Sequence, residues 1–306
     1  MNACRTALDA NRWHFQHGPI DCVIAADGER GAVVAAHEAA WRRFETVLAE
    51  LVDELPVLRS AVGAACAARG PVARRMWRAC APHRDRFVTS MAAVAGAVAD
   101  ELIDAYRRPG VRRAWVNNGG DIALHLADDA SVRVGLVADP TRVTFDGAGL
   151  AVDGGFVVSA GMAVRGIATS GWRGRSLSLG IADSVTVLAA DAAGADAAAT
   201  MIANAVDVDD PRIARRPACD VVDDSDLGAR LVTVDVPALG DEAVHRALSS
   251  GLAHAEALRA RGSIAACVLV CQGRAVSTAS PSAHRPQTDA LWHAPRFNVA
   301  FTEAVA

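Results

Sequence analysis

Apolar residues recur along this chain in two distinct periods. From about Ala35 to Leu55, Trp41, Phe44, Leu48, Leu51 and Leu55 follow one another at three- and four-residue steps, the spacing of one helix face, and Pro56 ends the pattern. A second stripe, Met91, Val94, Ala95, Val98, Leu102 and Tyr106, predicts a helix from Ser90 to Arg108, stopped by Pro109-Gly110. Ahead of the first helix, β-branched and aromatic residues flank a Gly-Pro turn in RWHFQHGPIDCVIAAD, which reads as a hairpin.

The middle of the chain is dense in short β-type runs. Residues 113–116, 122–126, 132–137, 155–160 and 164–168 are separated by Asn-Gly-Gly-Asp, Asp-Asp and Asp-Gly-Gly turn signals, so adjacent strands are expected to be antiparallel. A strand at 184–189, a helix at 192–206, a strand at 231–236, a helix at 241–261 and a strand at 264–271 complete the reading. The order is mixed rather than a regular βαβ series, which predicts an α+β fold with mixed, mainly antiparallel sheets and packed helices. We expect a single domain over 1–277. Pro281, Pro286 and Pro295 with polar spacers predict a poorly ordered C-terminal tail over 278–306.

Composition narrows the function. Just over half of the 306 residues are hydrophobic but only 5% are aromatic, so the core is expected to consist mainly of Ala, Val, Leu and Ile. The net charge of −4 and the lack of a basic block remove the footprint of a nucleic-acid binder. All 31 basic residues are Arg; there is no Lys. That excludes Schiff-base chemistry, a GxxxxGK[ST] phosphate loop and the kinase lysine, and leaves Arg, backbone N–H groups or a metal to meet an anion. The seven Cys never form CxxC and read as buried reduced thiols. With no apolar leader and no run of about 18 apolar residues, the expected setting is cytoplasmic, without membrane partners.

Three segments carry candidate chemistry. Asn117-Asn118-Gly119-Gly120-Asp121 lies between two strands; its glycines permit positive φ and close ligand approach, and its N–H groups could cradle an anion, although Asn-Gly is also the ordinary hairpin turn. Asp196 and Thr200 stand one helical turn apart, so a carboxylate and a hydroxyl share a face and suit a hard cation; equally, an acid in a first turn only complements the helix dipole. Thr169-Ser170-Gly171-Trp172-Arg173-Gly174-Arg175-Ser176 joins two guanidinium forks to an indole, fitting phosphate and a flat ring, or is a solvated loop. The acidic run Asp220–Asp226 lacks the glycine and terminal glutamate of a calcium loop and reads as solvated. No His spacing suggests zinc, and no GxSxG elbow occurs.

Taken in order, HGPIDCVIAADG, TSMAAVAGAVAD, WVNNGGDIAL, GIATSGWRGRSLSLGIADSVTVLA, ADAAATMIANAV and DSDLGARLVTVDV resemble the UPF0280 family, a branch of the ApbE-like superfamily that includes FAD:protein FMN transferases. The likeness spans roughly Trp13 to Gly273. It implies an ApbE-like α+β fold, Mg²⁺ held by Asp196 and Thr200, and FAD or a related flavin or nucleotide bound by Asn118, Gly119, Gly120, Asp121, Thr169, Ser170, Gly171, Arg173 and Arg175. Two departures stand out. The family's His after TSG is replaced within Ser178-Leu179-Gly180-Ile181-Ala182-Asp183, and its Lys-Gly pair is here Ala95-Gly96. The readings therefore stay open between Mg²⁺-assisted FMN transfer or diphosphate cleavage, a non-catalytic carrier or sensor of a flavin- or pterin-like ring, and a structural subunit. A homodimer is allowed.

Overall fold

The computed structural model describes residues 2–136, 145–146, 149–150, 154–278 and 299–300. In chain order its regular elements begin with β1 (Cys4–Ala7), β2 (Arg12–His17), β3 (Ile20–Gly28), α1 (Arg30–Asp53), α2 (Leu55–Leu58), α3 (Pro71–Cys80) and α4 (Val94–Ile103). The strand-rich middle comprises β4 (Val111–Asn118), β5 (Asp121–Leu126), β6 (Ser131–Leu136), β7 (Phe145–Asp146), β8 (Gly149–Leu150), β9 (Gly154–Ser159), β10 (Gly166–Ser170) and β11 (Ser184–Ala189). Then come α5 (Ala192–Ala205), β12 (Ala214–Pro217), β13 (Leu231–Asp235), α6 (Asp241–Ala260), β14 (Ala266–Cys271), β15 (Arg274–Ser277) and β16 (Val299–Ala300). The fold is α+β; strand pairings such as β2 with β3, β3 with β4 and β4 with β5 are antiparallel, while β15 with β16 is parallel.

Two compact units emerge. The first comprises residues 1–131, 159–168 and 188–197; the second 132–158, 169–187 and 198–306. The tail expected over 278–306 lies outside the described residues apart from 278 and 299–300.

In the first unit β1, β2, β3, β4, β5 and β10 lie side by side. The β2–β3 hairpin turns at Gly18, in the left-handed region at φ 57°, pairing His17 with Ile20 as the Gly-Pro signal predicts. Helix α1 buries Val33, Ala36, His37, Ala40, Phe44, Val47 and Leu51. Its face is thus turned slightly from the predicted stripe: Trp41, Leu48 and Leu55 are only half-buried. Trp41 serves as the edge of the core, 5.1 Å edge-on to Phe15, with the Arg5 guanidinium 5.2 Å above its ring, an amphipathic use suited to a boundary. The predicted 90–108 helix is present as α4 flanked by 3-10 turns at Ser90–Ala93 and Asp104–Tyr106.

In the second unit β11 is a nearly continuous buried run. Helix α6 buries Val244, Ala247, Leu248, Gly251, Ala255 and Leu258; at Gly251 an added Cβ would lie 2.3 Å from the Val206 side chain, so glycine is needed for the close approach. β14 and β15 form a hairpin, and β12 pairs with β13. Four cysteines, Cys22, Cys80, Cys267 and Cys271, are buried, whereas Cys4, Cys66 and Cys219 are exposed. This corrects the expectation for the last three, which lie on an edge strand (Cys4), in a loop (Cys66) and in a 3-10 turn at Ala218–Asp220 (Cys219).

Candidate functional site

The first unit's site begins with a two-residue hairpin turn. Gly119 and Gly120 lie at φ 67° and 115° between the paired residues Asn118 and Asp121, a conformation that favours glycine at both positions. The Gly120 N–H donates to Asn117 Oδ1 at 2.8 Å, so that N–H of the anticipated anion cradle is already engaged. Asn118 is buried; its Nδ2 donates to the Ala95 carbonyl at 3.1 Å, and its Oδ1 accepts the Asp21 N–H at 3.4 Å. The hairpin is thereby tied to the start of α4.

Asp196 reaches the same end of α4. Its Oδ2 accepts the Gly96 N–H at 3.0 Å, and Ala95 N–H also bonds to it. In return, Asp100 of α4 accepts the Ala192 and Ala193 N–H groups at 3.0 and 2.8 Å, the first turn of α5, while Asp191 accepts Gly194 N–H at 2.7 Å. Each helix caps the other with a carboxylate, supplying acceptors for N–H groups that a helix start leaves unpaired. The two helices meet so closely that a Cβ on Gly96 would lie 2.2 Å from the Ala192 carbonyl oxygen.

This arrangement crowds negative charge. Desolvation, then repulsion from Asp121, hold the Asp196 carboxyl well above the usual carboxylate range, opposed by the Gly96 and Ala95 N–H groups. Burial pushes Asp100 up to about 6, against the pull of the Ala193 and Ala192 N–H groups. Although Asp196 is half-buried by accessible area, its carboxyl is surrounded by helix ends and a second carboxyl, and that enclosure governs its acidity. Such a pair is relieved by a shared proton or by a cation. The donors at the Asp121–Asp196 pair are oxygens, which fits a hard divalent ion, and Thr200 stands a turn further along α5. Among the described residues no group of three or more His, Cys, Asp or Glu is arranged to hold a metal, so any such ion would be completed by hydroxyl, carbonyl, water or ligand oxygens.

In the second unit, Thr169 Oγ1 lies 2.9 Å from Thr186 Oγ1. At Gly171 an added Cβ would stand 2.4 Å from the Asp183 carbonyl oxygen, and Trp172 N–H donates to Ala182 O at 3.0 Å; together these place the TSG turn against residues 182–183. Ser170 is half-buried. Arg173 Nε donates to Asp183 Oδ1 at 2.7 Å, and its guanidinium carbon sits 4.6 Å from the Trp172 ring centroid. Asp183 Oδ2 also accepts the Gln272 N–H. The anticipated phosphate-facing fork of Arg173 is therefore partnered by a carboxylate within the fold, whereas Arg175 is exposed. The roles of Asp100 and of Asp183 as partner to Arg173 are not evident from spacing; the one hint at Asp100 is a carboxylate in the apolar repeat of α4, where it is 3% exposed.

The chain belongs to the UPF0280 branch of the ApbE-like family: the family model described as AbpE bacteria matches residues 5–277. Its relatives include the UPF0280 protein of Methanospirillum hungatei, 32% identical over 205 residues, 65% of this chain and 77% of the relative. That of Methanosphaerula palustris is 41% identical over a shorter stretch of 120 residues, 39% of this chain and 47% of the relative. Among solved structures, the apo flavinyl transferase ApbE of Pseudomonas stutzeri aligns with a TM-score of 0.45 at 12% identity, covering 92% of this chain and 96% of that one. Among the described residues no helix is long and apolar enough to cross a membrane.

Proposed function

We propose that this chain binds a flavin or related nucleotide with Mg²⁺ and transfers its FMN moiety or cleaves its diphosphate. The observation that carries the reading is the desolvated carboxylate pair Asp121–Asp196, which a divalent cation would relieve. In this reading Asp196 and Thr200 hold the ion, and Asp121 belongs with Gly119 and Gly120 to the nucleotide site. The turn Asn118-Gly119-Gly120 brings backbone close to the phosphates, while Thr169, Ser170 and Gly171 line the ligand. Arg175 supplies the remaining positive charge, and Arg173, held by Asp183, positions the Trp172 indole as a stacking surface. When bound, Mg²⁺ would neutralise charge developing on the bridging and leaving phosphate oxygens. Residues 1–277 are taken as one ApbE-like domain of a cytoplasmic protein, with a homodimer as a further part of the proposal.

A second reading, a non-catalytic carrier or sensor of a flavin- or pterin-like ring, is favoured by one specific feature. Asp183, which ends the stretch lacking the family's His, accepts hydrogen bonds from both Arg173 and Gln272 N–H, so its carboxylate is engaged within the fold; Ala95 replaces the Lys. A positioned acid or base contributes about 10²–10⁴-fold, so its loss favours binding over turnover. Incubation with FAD, Mg²⁺ and candidate acceptors separates the two. AMP release that requires Asp196 supports the enzyme, and tight flavin retention without AMP supports the carrier. If no flavin or nucleotide is retained and none raises the melting temperature, the reading as a structural subunit stands instead.

A further inference from the structure

The first unit has a second concave feature whose lining includes none of Asn118, Asp121 or Asp196. It is a cavity of about 490 Å³ bounded by Trp13 of β2, Ala26 and Gly28 at the end of β3, and Arg30, Val33 and His37 of α1, a size in the range of small-molecule sites.

Two independent observations give this cavity a chemistry. His37 is only 4% exposed, and its Nδ1 lies 2.7 Å from the hydroxyl of the fully buried Tyr106. If Nδ1 donated that bond, the phenol proton would have no acceptor among the described residues. If the phenol donates instead, the Nε2 proton of the neutral imidazole is the one left over, so in either tautomer one proton of this buried pair lacks an acceptor. Burial lowers the His37 pKa, which keeps the ring neutral. Nε2 is buried and has no partner among the described residues, whereas such groups are normally paired.

The second observation is the start of α1. This helix of 24 residues has Glu29 at its N-cap, no side-chain cap and no acid in its first turn, which leaves N–H donors and the positive end of the dipole for an anion. The Glu29 carboxylate leans instead toward Gly110, where an added Cβ would lie 3.1 Å from Oε2. Arg30, beside the cavity, is exposed. Glu38, another lining residue, is paired with Arg5 at 2.7 Å, so its charge is answered.

We propose that this cavity binds a planar aromatic carboxylate. The ring lies against Trp13 and Val33, the carboxylate meets Arg30 and the first N–H groups of α1, and a polar atom on the ring pairs with His37 Nε2. Nε2 is covered as the side chains stand, so that last pairing requires a side chain beside it to shift.

The test is ligand-observed NMR on the full chain with benzoate, 2-naphthoate and quinoline-2-carboxylate, each beside its amide. The proposal expects at least one bicyclic acid to bind about tenfold more tightly than its amide. Arg30→Ala should weaken the acid about tenfold and leave the amide unchanged. Val34→Trp, at a lining position 54% exposed, should abolish binding without changing the melting temperature. Because His37→Phe disturbs a buried pair, these two surface variants carry the test. The proposal is overturned if no acid in the panel binds at millimolar concentration, if amides bind equally, or if neither variant alters binding.

Discussion

At the scale of single residues, the reciprocal carboxylates Asp100 and Asp196 concentrate most of the consequences. Each replaces water for N–H groups at the start of the opposite helix, so truncation strands buried donors. Asp100→Ala should cost about 2–4 kcal/mol, read from urea unfolding, since two N–H groups lose their acceptor. The pH dependence follows from its pKa, raised from 3.8 to about 6. The folded chain holds this proton more tightly than the unfolded chain, so stability from the group is fully present below pH 3.8 and is lost as pH rises through 6. Unfolding measured between pH 4 and 7 should show wild type losing stability along that interval through Asp100, and Asp100→Asn should flatten the slope; an unchanged slope would contradict the assignment. Exposed Asp9 and Asp210, whose carboxyls are held low by hydrogen bonds from Asn11 and Arg12 and from Arg212 respectively, act in the opposite direction, below about pH 4.

At the scale of elements, what decides the architecture is how closely α4 approaches α5. Gly96→Ala would drive a Cβ to 2.2 Å from the Ala192 carbonyl, and we expect a cost of about 1–3 kcal/mol from the forced backbone shift, measurable as a lower melting temperature. Long periodic segments were legible in the chain: α5, α6 and β11 match their predicted bounds closely, and α1 is found but begins at Arg30, ahead of the predicted Ala35, because periods of 3.6 and 2 survive in one-dimensional order. Helix α3 was not, because Arg74, Arg75, Trp77 and Arg78 interrupt its short stripe of Val72, Ala73, Met76 and Cys80, although Pro71 at its first turn was a usable start signal. The Asn-Gly-Gly-Asp turn was legible as a hairpin. The cross-capping was not, since Asp100 and Ala192 are 92 residues apart and local pattern carries no long-range pairing.

At the scale of the whole molecule, family membership came from the combined order of several modest motifs, each ambiguous alone. The candidate site was read from residue type, an Asp and a Thr one turn apart, but its environment was not legible: that Asp196 is desolvated and repelled by Asp121, or that Arg173 is partnered by Asp183, depends on tertiary packing. The same packing makes the account separable from a purely structural role for Asp196. Asparagine retains an oxygen to accept the Gly96 N–H but removes the charge, so cap and cation site respond differently. The decisive measurement is thermal unfolding of wild type and Asp196→Asn with FAD, with and without Mg²⁺. The account predicts a Mg²⁺-dependent rise of about 5 °C or more for wild type at saturating ligand and none for the variant, whose melting temperature without ligand stays close to wild type. An equal rise in both proteins, or no rise in wild type, would contradict it.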